Sequence, residues 1–146
     1  MNRLSITYKL DDDGSGELFA TLSAGDFSGK SSAWIGEDDV REFISALGAF
    51  PIEPTNEPLL QGGYWRDGRL DQMHVQLRIE PTGPRGFLRV SVDLATPGRP
   101  SQVPALHHAV STQFLVTYGD LERFEAALRA HLAGDQREAV LLQFPT

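Results

Sequence analysis

Apolar and polar residues alternate along much of this chain. Leu4, Ile6, Tyr8 and Leu10 are separated by Ser5, Thr7 and Lys9, and Leu18, Ala20, Leu22 and Ala24 follow the same spacing. A period of two puts one set on one face of an extended segment, so both stretches are predicted strands with one buried face. Asp11, Asp12, Asp13, Gly14, Ser15 and Gly16 between them tolerate the left-handed backbone of a tight turn. A third strand is expected to end near Trp34. The clearest hairpin joins Met73, Val75, Leu77 and Ile79 to Leu88, Val90, Val92 and Leu94. Its apolar faces must coincide, so a loop over residues 83–86 sets Glu80 across from Arg89, Arg78 across from Ser91 and Gln76 across from Asp93. Pro81 has no amide hydrogen and must fall where no ladder bond is donated. Val110, Thr112, Phe114, Val116 and Tyr118 read as a strand entering a helix, and residues 139–144 as a last strand.

Twice the period lengthens to that of a helix. Val40, Phe43, Ile44 and Leu47 form one apolar stripe, with Asp38 or Asp39 expected as the cap and with Gly48 and Pro51 as the stop. Leu121, Phe124, Leu128 and Leu132 form the other, with Asp120 as the expected cap and Gly134 beyond the end. Alternating strands with two one-sided helices predict a single α+β domain over residues 1–146, an antiparallel sheet of about six strands carrying both helices on one face. Asp39, Val40, Phe43, Ala46 and Leu47 match Asp120, Leu121, Phe124, Ala127 and Leu128, each 81 residues later. A duplicated strand-strand-strand-helix unit would explain this, and so would the residues that any capped amphipathic helix shares.

Two stretches are long for loops, 51–71 with Tyr64 and Trp65, and 95–108 with His107 and His108. Asp67 and Gly68 would turn a short hairpin inside the first, flanked by Trp65 and Leu70. Trp34 is expected in the core. Trp65 stands among turn-forming neighbours and suits either packing or recognition.

Charge narrows the functional classes. The net charge of −7 argues against a nucleic-acid partner, whose phosphates need a cationic patch. Residues 1–57 hold 11 Asp or Glu against 4 Lys or Arg, whereas residues 58–146 hold 9 against 9. Asp38, Asp39 and Glu42 lie in the acidic part, suited to steering a basic partner as well as to favouring a helix N-terminus. The chain has no cysteine, which removes disulfides, thiolate nucleophiles and cysteine zinc sites. The residues after Met1 lack the apolar run of a signal peptide and no later run reaches membrane-spanning length, so a cytoplasmic location without a membrane partner is expected. A homo-oligomer stays open.

Candidate chemistry is sparse. The acidic stretch at 11–17 has the wrong spacing for a calcium loop and strands for flanks, so it reads as a turn. His107 and His108 are adjacent, without the spacing that brings two imidazoles to one metal. His74 is expected on an outer strand face, and His131 in a last helical turn suits the dipole there. Nucleophile elbow, phosphate loop and dinucleotide fingerprint are all missing, so neither catalytic residues nor a cofactor are expected.

Trp34, then Asp39, Val40, Arg41, Glu42, Phe43 and Leu47, then the His74 to Leu77 and Arg89 to Val92 runs, and finally Tyr118 to Leu121 with Phe124 and Leu128, form a pattern. It resembles small uncharacterised bacterial proteins, some of them immunity proteins of polymorphic toxin systems. The resemblance implies a non-enzymatic, protein-binding module whose acidic region meets a basic partner, and it carries over no site residues. The rival expectation is a small-molecule-binding protein or small enzyme using the 51–71 and 95–108 loops. On these grounds the candidate surface residues are Asp38, Asp39, Glu42, Tyr64, Trp65, His107 and His108.

Overall fold

A computed structural model describes residues 1–98 and 107–144. In chain order it contains β1 (Asn2–Leu10), β2 (Gly16–Ala24), β3 (Phe27–Trp34), α1 (Glu37–Leu47), β4 (Leu59–Arg66), β5 (Arg69–Pro81), β6 (Phe87–Ala95), β7 (Ala109–Thr117), α2 (Tyr118–Leu132) and β8 (Ala139–Leu142). The fold is α+β with antiparallel pairing throughout. Eight strands form two four-stranded sheets, ordered β3-β2-β1-β8 and β4-β5-β6-β7, where one sheet of about six was expected. Alternation shows which face of a strand is buried but not which strand lies beside it, and here two sheets share one core.

The order of elements repeats. Three antiparallel strands, a helix and a fourth strand run from β1 to β4, and the same series runs from β5 to β8. In each half the fourth strand crosses over: β4 pairs with β5, and β8 pairs with β1. Each helix packs on the strand that follows it, the two helices touch, and β3 lies across all four strands of the second sheet. Leu4, Leu22, Ile44, Leu77, Leu88, Phe124 and Leu141 are among the fully or nearly fully buried side chains of the common core.

Local rules hold well where they depend on parity. The β5–β6 register pairs Gln76 with Asp93, Arg78 with Ser91 and Glu80 with Arg89, and the Arg89 guanidinium meets the Glu80 carboxylate at 2.7 Å. Thr82 N–H donates to Phe87 O, which leaves Pro81, opposite Leu88, at the non-bonded place. Asp67 and Gly68 both have positive φ, 52° and 76°, the turn that suits a two-residue hairpin loop, and Trp65 stands opposite Leu70. Residues 59–71 are therefore strand and turn, not loop. Gly62 lies close to Ala33 and Ile35, so a side chain there would force β3 and β4 apart.

Several expectations fail for identifiable reasons. Trp34 is 56% exposed, because it faces outward opposite Glu17 while Ala33 takes the inward position. Leu10 lies at the strand end and is half exposed. Neither Asp38 nor Asp39 caps α1: the cap is Gly36, with no side-chain bond, and both acids lie within the first turn. Asp120 likewise lies within the first turn of α2. Thr117 is the cap there, accepting from Asp120 N–H at 3.1 Å while Asp120 Oδ2 accepts from Thr117 N–H at 2.8 Å. This capping box satisfies two amides that the helix start leaves unpaired.

Candidate functional site

The stripe that buries Phe43 places Asp39 and Glu42 beside it, at the edge of the buried face of α1. Opposite them runs β4. Between lies a groove of about 460 Å³, with Asp39, Glu42 and Phe43 on the helix side and Glu57, Leu60 and Trp65 on the strand side. Trp65 is 52% exposed. Asp39, Glu42 and Glu57 make no ion pair or hydrogen bond among the described residues. Arg41, the one cation of α1, is held at 2.9 Å by Glu37, one helical turn back. The groove thus combines three free carboxylates, an apolar floor and an exposed indole.

Not every candidate surface residue belongs to it. Asp38 is exposed and does not line the groove. Tyr64 packs edge-on against the His74 ring with centroids 4.6 Å apart. His74, expected outside, is only 3% exposed. Its Nε2 lies 2.6 Å from Gln72 Oε1, and the Gln72 amide is joined to the main chain of Gly98, donating to its O at 2.9 Å and accepting from its N–H at 2.8 Å. Burial holds the His74 imidazole below its ordinary pKa.

His107 and His108 are exposed and do not line the groove. His108 extends the β6–β7 pairing, its O accepting from Thr96 N–H at 2.8 Å. Residues 99–106 of the 95–108 stretch lie outside the described residues. His131 was expected to act as a charge near a helix end, yet its Nε2 accepts from Tyr8 N–H at 2.8 Å and its Nδ1 lies 2.9 Å from Gln136 O. That arrangement holds the ring between β1 and the turn after α2. No group of three His, Asp or Glu is arranged for a metal among the described residues. In the acidic stretch at 11–17, residues 11–15 form a turn in which Asp11 N–H donates to Ser15 O at 2.8 Å, and Gly16 and Glu17 open β2.

Sequence reasoning missed Glu57 and Leu60. Their signal was the same offset of 81 residues, which continues past the helices to pair Glu57 with Glu138 and Leu60 with Leu141. The chain matches no protein family, no curated protein and no solved structure. Fold and groove together define a two-sheet α+β domain with one acidic, aromatic-sided cleft between a helix and its following strand.

Proposed function

We propose that this protein is a non-enzymatic protein-binding module, immunity-like in neutralising a basic partner, and that the α1–β4 groove is its contact surface. The supporting observation is the half-exposed Trp65 beside three carboxylates that no cation pairs with among the described residues. Indole side chains are favoured anchors at interfaces, and a field of one sign raises the rate at which an oppositely charged partner arrives. The same reading includes a cytoplasmic location and takes the two β-β-β-α-β halves as a duplicated unit.

Full-length protein immobilised on resin should repeatedly recover one basic protein from native extract. Recovery should fall as salt is raised and should be lost in Trp65→Ala and in Asp39→Asn combined with Glu42→Gln. Recovery that ignores both salt and these changes contradicts the proposal. A second reading, a small-molecule-binding protein or small enzyme, draws on the groove volume, which falls in the usual range for ligand clefts. A metabolite retained in the groove through purification would favour it.

A further inference from the structure

We infer that the partner enters the α1–β4 groove with an arginine side chain. This rests on the protein-binding reading above and comes from the internal repeat, which sets corresponding acids beside each helix and its following strand. Asp39 and Glu57 of the groove correspond, 81 residues on, to Asp120 and Glu138 beside α2 and β8. Both counterparts are paired with arginines of the chain. Asp120 Oδ1 accepts from Arg123, and Glu138 Oε1 lies 3.1 Å from Arg3 Nη2.

Both arginines are replaced on the groove side. The place of Arg123 is taken by Glu42, an acid. Arg3 stands opposite Leu142 in the β1–β8 pair, and the equivalent place in the β5–β4 pair is Gln76 opposite Gln61, whose amides bond to each other at 2.9 Å. The groove keeps the two acids, adds a third and has neither cation. A guanidinium completes this set better than an ammonium, because its planar fork donates to two carboxylates while its face stacks on the Trp65 indole. One arginine of the partner therefore stands in trans for the two that α2 and β1 supply to the other half.

The test uses full-length protein carrying Trp34→Phe, an exposed position outside the groove, so that Trp65 is the sole indole. Its emission is titrated with acetyl-Gly-Arg-Gly-amide, with the lysine peptide of the same design and with free arginine. The arginine peptide is expected to change the emission saturably at a concentration about tenfold below the lysine peptide. Glu42→Arg, which copies the α2 arrangement, should weaken that binding by about tenfold or more, with an unchanged melting temperature because the position is exposed. Equal response to the two peptides, or undiminished binding by Glu42→Arg, overturns the inference. Free arginine binding as tightly as the peptide overturns the assignment to a protein partner. If the recovered partner still binds Glu42→Arg as well as wild type, the arginine inference falls while the protein-binding reading stands. If the arginine peptide binds and no partner is recovered, that reading falls and the guanidinium site stands.

Discussion

The pair α1 and β4 and the pair α2 and β8 are built on one plan and finished differently. Both helices carry an acid at the third position and a Phe four residues later, and both pack on the strand that follows. In α2 the acid is consumed twice, by the Thr117 capping box and by Arg123. In α1 the cap is Gly36, which has no side chain to engage Asp39, and Glu42 repels where Arg123 attracts. Two halves with matching buried helix stripes thus differ in whether their polar groups answer each other. Local stability has gone to α2, and the acids along α1 stay unpaired among the described residues.

The largest expected effect tests whether the two buried stripes are equivalent. Phe43→Ala and Phe124→Ala remove side chains that are both buried, so each should cost about 3 to 5 kcal/mol in urea titration. A loss below about 1 kcal/mol at either site would break the equivalence of the two helices. Next comes the cap. Thr117→Ala should cost about 1 kcal/mol, whereas Gly36→Thr has room beside Asp39 and should copy the α2 start, gaining a few tenths of a kcal/mol and weakening partner binding. Stabilisation with undiminished binding would separate Asp39 from the site.

Acid should act on groups outside the groove. Ser5 and Arg3 hold the Glu138 carboxyl below its ordinary value of 4.5, with Ser5 the larger cause. Since the folded form holds its proton less tightly than the unfolded chain, that stability is present above about pH 4.5 and is lost as pH falls through the folded value. Glu138→Gln should flatten this limb of a stability-against-pH curve. His74 behaves alike, held low by burial, so its contribution fades as pH falls below about 6.5. His74→Gln should remove that earlier decline, and an unchanged curve would mean the ring is hydrated when the chain is folded. The smallest effect belongs to Arg123, 74% exposed, where Arg123→Ala should cost about 0.2 to 1 kcal/mol in thermal melts, as exposed ion pairs do. A larger loss would make the pair structural and weaken its use as a template for recognition.

By itself the sequence determined what short range can decide. Alternation set which apolar side chains of β2, β6, Leu4 to Tyr8 of β1 and Val75 to Ile79 of β5 face inward, failing at Leu10, Met73 and His74, and the parity of two apolar faces set the β5–β6 register to the residue. Turn chemistry placed the Asp67–Gly68 hairpin, and helical spacing gave both buried stripes. Only the tertiary structure decided that β8 joins β1 and β4 joins β5, that Trp34 faces outward, that Gln72 and Gly98 cover His74, and that Glu57 and Trp65 meet Asp39 and Glu42 across one groove. The periodicity of a strand is a property of neighbours two residues apart. Which strands and helices meet depends on how distant segments close over a shared core, and nothing within one segment records its distant neighbour.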